Sequence, residues 1–539
     1  MLGQMMSQPL LISSMVAHAG KFHSDRDIIS VETDGSVTKT NWQNVEKRAR
    51  LLASALGKLG LKSGDRAATI AWNNHRHLEI YFGVSGAEYI CHTINPRLIP
   101  EQIAYIINHA QDQILFIDKT FLPIAVGLKD HLKTVKNVVL MGARDEEALA
   151  ALPNILFYED LIANGDDSYQ WPSFDENAAS SLCYTSGTTG HPKGVLYSHR
   201  STMLHSFCVV APDSLSLSAI DNVLPVVPMF HVNAWGLPYA AAMTGAQLTL
   251  PGPGLDGISL KNLINNYGVT LAAGVPTLWQ GLLIALRETG EKLKTLDRTI
   301  IGGAACPLSL IKAFEDDYDV DIIHAWGMTE TSPLGSVNRP LTKHLGQNNA
   351  ENDAMAVKQG RPPFGIDLRI CDDEGQVLPN DAEAQGELQV RGLWVVEDYF
   401  KVETPTLNAD GWFATGDVAN LDNDGFMQIT DRAKDVIKSG GEWISSIDLE
   451  NLAIGHADIL DAAVIGAKHE KWGERPILLA VKAEGSKLTE DELLTIYPDK
   501  VAKWWIPDRV IFVKELPHGG TGKLLKNKLR DKYENVLLE

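Results

Sequence analysis

Apolar positions recur along the chain with two different periods. Between Trp42 and Asp118, the stretches WQNVEKRARLLASALGKLG, HLEIYFGVSGAE and PEQIAYIINHA space apolar side chains three and four apart, as one buried face of a helix requires. Alternating with them, AATIAW, YICHTI and ILFID are short apolar runs of the kind that strands buried on both faces show. This βαβ alternation predicts a parallel sheet covered by helices. It resumes from Ser181 to about Gly327, with strands expected near LCYTS, QLTLP, VTLAAG and DIIHAW, and predicts a second α/β subdomain. From Gly365 to Thr430 the texture changes to short alternating strands rich in turn residues, in GIDLRICDDEGQVLPN and GELQVRG, which predicts a smaller β unit. After Asp431, DRAKDVIKSGGEWIS leads into an α+β segment with helix candidates in SIDLENLAIGHADI and EDELLTIY. The expected fold class is α/β: a large N-terminal body, 1–431, of two α/β subdomains plus a small β subdomain, and a small α+β C-terminal lid, 432–539.

A chain of 539 residues can bury several cores, and 45% hydrophobic with 22% charged residues is ordinary for a soluble enzyme. The net charge of −20 argues against a nucleic-acid or anionic-membrane partner, which would be repelled at long range. From Val501 to Glu539, however, eight Lys or Arg face five Asp or Glu, a basic segment that suits either a phosphate-rich ligand or a solvated surface. The five cysteines, at 91, 183, 208, 306 and 371, are odd in number and lack C-x-x-C spacing, which fits a reducing, cytoplasmic setting without structural zinc. The N-terminal MLGQMMSQPLLISSMVAHAG has no basic residue before Lys21, so it reads as a starting helix and not as a signal peptide. The longest uncharged stretch, Asn222 to Leu255, carries prolines at 225, 228, 238, 251 and 253, which a membrane span would not.

Candidate chemistry begins with YTSGTTGHPKG, Tyr184 to Gly194, between a strand-like segment ending near Cys183 and a helix-like stretch beginning near His199. Glycines let successive N–H groups converge on anionic oxygens, and the hydroxyls with Lys193 add donors and charge, so the loop can wrap a polyphosphate. Taken alone, it could also be a flexible linker. A Walker loop is excluded, because Gly522-Lys523 is followed by Leu524 and preceded five residues upstream by Pro517. A formal G-x-G-x-x-G at Gly252, Gly254 and Gly257 lacks the acidic residue that a dinucleotide site needs at the end of the next strand.

Two further segments, AWGMTET at 325–331 and PHGGTGKLLK at 517–526, follow the first in order. Together the three resemble the adenylate-forming superfamily of acyl-CoA synthetases, luciferases and peptide-synthetase adenylation domains. The resemblance implies ATP, Mg²⁺ and coenzyme A as the ligands, with a carboxylic acid as the other substrate. It implies that Thr185 and Glu330 bind Mg²⁺, and that Ser186, Gly187, Thr188, Thr189, Gly190 and Lys193 cradle the phosphates that leave as pyrophosphate. Lys523 would bridge the acid oxygen and the α-phosphate, although Gly519 replaces a hydroxyl residue often found in that motif. Trp326 would stack on adenine, with Gly302, Gly303, Ala304 and Ala305 opposite. His324, Ala325, Gly327, Met328, Thr329 and Ile429 complete the implied nucleotide set. Asp417, in GWFATGD, would accept the ribose hydroxyls, and Arg432 would hold ribose or phosphate.

For the second half-reaction the resemblance implies a mobile lid hinged at Lys434. Gly440, Gly441 and Glu442 would then face a tunnel for the thiol, with Trp443 near the CoA nucleotide and Lys438 near the adenylate. The segment PMFHVNAWG, 228–236, lies where relatives line the acyl pocket. His231 stands where amino-acid-activating relatives place an aspartate, which disfavours an amino acid substrate. Trp235 is either a movable gate or a wall that shortens the cavity. The opening QPLLISS and the run SGGEWISSIDLEN are similar to medium- and long-chain fatty acyl-CoA synthetases, and within that group to bacterial methylmercaptopropionyl-CoA ligases. Nothing in the motifs separates a thioether sulfur from a methylene. A carrier-dependent module does not fit, with sixteen residues after Lys523. A luciferase-like oxygenase or a non-catalytic nucleotide-binding protein is the alternative from another class, and the latter would tolerate loss of Glu330 or Lys523, both of which are present. A homodimer is expected from the apolar N-terminal segment and the resemblance.

Overall fold

The computed structural model describes the chain apart from residues 2, 186–190, 347–348, 433–434, 440–441, 499, 520–523 and 539, and apart from the side chains of Asn349, Glu442 and Trp443. Two large sheets dominate. One has eight strands, ordered Leu334–Val337, Asp321–Gly327, Arg298–Ile301, Leu271–Gly274, Asn222–Pro225, Gln247–Leu250, Asp27–Val31 and Val37–Asn41. It is parallel except for an antiparallel strand at each edge. The other has seven, ordered Leu156–Phe157, Asn137–Leu140, Ile114–Ile117, Arg66–Ile70, Ile90–Thr93, Ala179–Thr185 and Lys193–Ser198, with only the last pair antiparallel.

The expected α/β class is found, but the two sheets do not divide the chain as the periodicity suggested. The strands at 179–185 and 193–198 join the sheet of the first subdomain, while Asp27–Val31 and Val37–Asn41 cross to the second. Periodicity locates elements; it carries no information about which strand becomes a neighbour. One continuous core draws side chains from both sheets and from the helices Ile12–Phe22, Trp42–Lys58, His75–Ser85, His199–Val210 and Leu237–Thr244. The apolar faces of WQNVEKRARLLASALGKLG and HLEIYFGVSGAE are buried there. Trp42 is fully buried and donates its indole N–H to Ala246 O at 2.8 Å, so its single polar atom is satisfied. Separate cores cover the outer faces, under the helices at 257–289 and 308–318 on the eight-stranded sheet and under those at 100–110 and 122–128 on the seven-stranded one.

Two of the three glycines of the formal dinucleotide motif have a packing reason. A Cβ on Gly252, whose φ is +57°, would lie 2.3 Å from Val31 O, and one on Gly257 would lie 2.1 Å from Gly281 O.

The β unit is a four-stranded antiparallel sheet, Ile366–Cys371, Gly386–Gly392, Phe413–Leu421 and Met427–Arg432. Beyond it, Gly473–Lys482 pairs with Ile459–His469 and Ile437–Ser439 on its two sides and with Arg509–Val513 in parallel, and the helices Ser446–Ile454 and Lys526–Tyr533 pack on this sheet. Among the described residues, no helix is long and apolar enough to cross a membrane. All five cysteines are buried and unpaired.

Candidate active site

The candidate residues gather where strands of both large sheets end. Strand Ala179–Thr185 runs into the Ser/Thr/Gly loop, and strand Asp321–Gly327 into the turn holding Thr329 and Glu330. The two ends are tied together by Tyr197, whose hydroxyl donates to Thr329 O at 2.6 Å. The loop does not lead directly to a helix, as the sequence suggested. It closes an antiparallel hairpin in which Thr185 pairs with Lys193, and strand Lys193–Ser198 precedes the helix at His199. Thr185 is thereby fixed at one shoulder and Lys193 at the other. Ser186, Gly187, Thr188, Thr189 and Gly190 lie outside the described residues.

Glu330 is buried, and one carboxylate oxygen accepts the Tyr399 hydroxyl at 2.6 Å. Val396 N–H donates to Glu330 O at 2.8 Å, which fixes the backbone as well. The Lys193 ammonium lies 4.7 Å from the centroid of the same Tyr399 ring, a cation–π distance. Burial, reinforced by the Glu330 carboxylate, pushes the Tyr399 phenol well above its ordinary value, so it stays a proton donor. Tyr399 was not among the residues singled out in the sequence. Its only mark there is an aromatic in DYF between two strands of the β unit, because the contacts are tertiary.

A carboxylate and a threonine hydroxyl carried by two elements in contact are a hard oxygen donor set. It suits Mg²⁺, which is commonly held by one or two carboxylates with phosphate and water supplying the rest.

Trp326 and Asp417 form one unit. The indole N–H donates to Asp417 Oδ2 at 3.0 Å, and Arg432 Nε meets Oδ1 at 2.7 Å. Asp417 is 2% exposed, and its own N–H bonds Thr415 Oγ1 at 3.1 Å. The reason is register: Asp417 and Arg432 are cross-strand partners in the small sheet. Arg432 thus ends a strand of that sheet. The indole plane also needs the glycines around it. A Cβ on Gly335 would lie 2.3 Å from the Trp326 ring, and one on Gly327 would lie 1.7 Å from Pro333 O.

Behind this unit, Ala305 and Ile429 line an open cleft of about 840 Å³ shared with Asp448, Asn451 and Trp505 of the C-terminal segment. His324 is buried, and burial lowers its pKa to about 4 against the opposing effect of the backbone at Ala304, Ala356, Val357 and Lys358.

The acyl segment folds in a way the sequence did not reveal. Val232, Asn233, Ala234 and Trp235 all have positive φ, at 45°, 52°, 50° and 57°, and Gly236 continues at 74°. Left-handed backbone costs an L-residue roughly 1–2 kcal/mol, so this turn must be held from outside. The buried Asn233 side chain does that, donating to Ser181 Oγ at 2.9 Å while its carbonyl oxygen faces Thr93 Oγ1 at 3.5 Å and Cys183 Sγ at 3.4 Å. The turn lays the Trp235 ring over the glycines after strand Arg298–Ile301. A Cβ on Gly302 would lie 3.3 Å from the ring, and one on Gly303 4.0 Å. Gly303 has φ of +80°. His231 and Trp235 are half-buried at the two ends of the turn. The structure therefore brings Trp235, Gly302 and Gly303 together, with His231 at the other end of the turn.

In the C-terminal segment, Lys438 sits on strand Ile437–Ser439 and its N–H donates to Glu474 Oε2 at 3.0 Å. Asp435 pairs with Arg530 at 2.6 Å. Lys434, Gly440, Gly441 and Lys523 lie outside the described residues, as do the side chains of Glu442 and Trp443.

A buried glutamate whose turn is tied by Tyr197 to the hairpin shoulders, with an indole–carboxylate–guanidinium unit on the strand before it, fits a site that activates a carboxylate with a nucleotide. Residues 16–400 match the AMP-binding enzyme family, and residues 448–523 match the AMP-binding enzyme C-terminal domain; the chain belongs to this family. It is 60% identical to a 3-methylmercaptopropionyl-CoA ligase of Ruegeria lacuscaerulensis, covering all of both chains. It is 58% identical to a medium-chain-fatty-acid–CoA ligase of Ectopseudomonas oleovorans, covering all of this chain and 98% of the relative. The fold matches the crystal structure of the anthranilate CoA ligase AuaEII in complex with anthranoyl-AMP, with a TM-score of 0.87 at 23% identity over 98% of each chain. The enzyme is an AMP-forming acyl-CoA ligase.

Proposed function

We propose that the enzyme joins 3-methylmercaptopropionate, or a carboxylic acid of similar short to medium length, to coenzyme A in two steps. In the first, an oxygen of the acid attacks the α-phosphorus of ATP; the bond to the β-phosphate breaks, and acyl-AMP and pyrophosphate form. Asp417 holds the ribose, its geometry set by Trp326 and Arg432, and Lys193 with the hydroxyl loop receives the departing phosphates. Glu330 and Thr185 would hold Mg²⁺, which when bound would supply positive charge to the phosphates. Lys523 offers its ammonium to the acid oxygen and the α-phosphate. In the second step the lid turns about Lys434, and Gly440, Gly441 and Glu442 line the approach of the thiol, with Trp443 near the nucleotide of CoA. The thiol loses its proton, its sulfur attacks the acyl carbon, and AMP leaves with the electron pair of the broken C–O bond. The enzyme works in the cytoplasm as a homodimer.

The observation that supports the choice of acid is Trp235 lying against Gly302 and Gly303, where an added Cβ would meet its ring at 3.3 and 4.0 Å, so that the indole takes up space a longer acyl chain would need. The 60% identity to a ligase named for the thioether acid supports the same reading. A medium-chain acid is the second reading, because the 58% identical relative is named for one and a tryptophan can swing. The test is the specificity constant for methylmercaptopropionate beside straight-chain acids from acetate to palmitate. A maximum at methylmercaptopropionate or butyrate, falling for longer acids, is expected; a maximum at octanoate or beyond refutes the wall and makes Trp235 a gate.

A further inference from the structure

We propose that Tyr399 is a positioning residue for the first half-reaction, one phenol that sets both the Glu330 carboxylate and the Lys193 ammonium before the nucleotide arrives. The inference rests on the proposed roles of Glu330 and Lys193. Its hydroxyl donates to Glu330 Oε1 at 2.6 Å, and its ring centroid lies 4.7 Å from Lys193 Nζ. These are the two charged side chains, one of each sign, that the described residues bring to the phosphate side of the site.

The phenol is itself well fixed. Phe400, the next residue, donates its N–H to Gly194 O at 2.8 Å, which ties the segment to the hairpin shoulder that carries Lys193. Tyr399 N–H meets Thr406 Oγ1 at 3.3 Å. The ring packs with Val195, Tyr197, Val232 and Val396, next to the hydroxyl that fixes Thr329. A side chain held at both its backbone and its ring can hold others.

Each half of the phenol has a separate task. The hydroxyl donates to Oε1 and fixes the carboxylate rotamer, so Glu330 presents its carboxylate in a set direction to a hard cation. The ring face gives Lys193 a resting place worth less than an ion pair with a carboxylate. Lys193 can therefore leave it for phosphate at small cost. Tyr399→Phe removes the first task and keeps the second; Tyr399→Leu removes both.

The experiment is calorimetric binding of α,β-methylene-ATP to the full-length protein across a Mg²⁺ series, without turnover, for both variants, Glu330→Gln and the Tyr399→Phe/Glu330→Gln double variant. Losing a hydrogen bond to a charged group corresponds to about a 10- to 100-fold effect. Tyr399→Phe is expected to raise the Mg²⁺ concentration for half-maximal enhancement by about tenfold and to leave the metal-free affinity unchanged. Tyr399→Leu should show that shift and also weaker metal-free binding. In the Glu330→Gln background, Tyr399→Phe should have no further effect on the Mg²⁺ dependence. The proposal is overturned if Tyr399→Phe follows the wild-type Mg²⁺ curve, or if it shifts the curve equally with Glu330 absent. If the wild type shows no Mg²⁺ enhancement at all, the assignment of Glu330 to the metal has failed, and Tyr399 has no metal ligand to position.

Discussion

Lys526→Met should destabilise the C-terminal segment, by an amount that depends on pH. Lys526 begins the helix Lys526–Tyr533 and is 9% exposed; its ammonium sits 2.7 Å from Glu450 Oε1 and also donates to Ser446 Oγ. Ser446 N–H in turn donates to Asp431 Oδ2 at 2.8 Å, so the helix Lys526–Tyr533 is tied to the residue before Arg432. Burial works against the charge on Lys526, but Glu450 and Asp431 outweigh it and the pKa is raised. Burial pushes Glu450 up to about 7, with Lys526 and the Val464 N–H, at 2.7 Å, opposing it.

Removing the lysine leaves a buried carboxylate without its cation, a change that costs about 3–5 kcal/mol when the carboxylate must stay ionised. The folded state binds a proton at Glu450 more tightly than the unfolded chain does. The penalty therefore applies above the folded pKa and is relieved as pH falls through it toward the unfolded value. With the lysine gone the folded pKa rises further, so relief begins above pH 7. At pH 8 the loss should approach about 3–5 kcal/mol; at pH 6 it should shrink toward about 1–3 kcal/mol, that of an unsatisfied neutral group. Urea unfolding at the two pH values, followed by the fluorescence of Trp504 and Trp505, measures both. A loss below about 1 kcal/mol at pH 8, or one that is equal at pH 6 and pH 8, refutes the buried-pair argument.

Three further outcomes are expected. Lys523→Ala should lower acid-dependent pyrophosphate release by about a hundred- to a thousand-fold while leaving thioester formation from preformed acyl-AMP within a fewfold of wild type; near-normal release would remove Lys523 from the first step. Asp417→Ala strands the Trp326 indole N–H and the Arg432 guanidinium together, and should weaken ATP binding about 10- to 100-fold without changing the KM for CoA, as separate titrations of the two substrates would show. Asn233→Ala withdraws the bonds that hold four left-handed residues. It should cost about 1–3 kcal/mol in unfolding measurements and lower discrimination between acids more than it lowers kcat, since Trp235 rides on that turn.

The parts of the site that could be read from the sequence are those made by short local patterns. GMTE placed Glu330 beside Trp326, and GWFATGD placed Asp417, because a turn after a strand is written in consecutive residues. That Asp417 and Arg432 are cross-strand partners required the register of the small sheet, which fifteen residues of separation do not encode. The strand Lys193–Ser198 escaped notice because it opens with Lys-Gly and continues a loop composition. The left-handed turn at 232–235 was illegible for a sharper reason: positive φ is ordinarily announced by glycine or asparagine, and here three of the four residues are Val, Ala and Trp, held in place by contacts from Ser181, Thr93 and Cys183. Tyr399 likewise became visible only when the fold carried it to Glu330. Sequence spacing shows which face of an element is apolar, but strand order and polar contacts across hundreds of residues depend on the assembled core.

The most direct test of carboxylate activation at this site is a rapid-quench single turnover with α-labelled ATP, Mg²⁺ and methylmercaptopropionate, first without CoA and then with CoA added. Label should accumulate as bound acyl-AMP, in step with pyrophosphate and near one per active site, and should then pass to AMP as thioester appears. Thioester formed with ADP and orthophosphate as the products, or label that never passes through acyl-AMP, would contradict it.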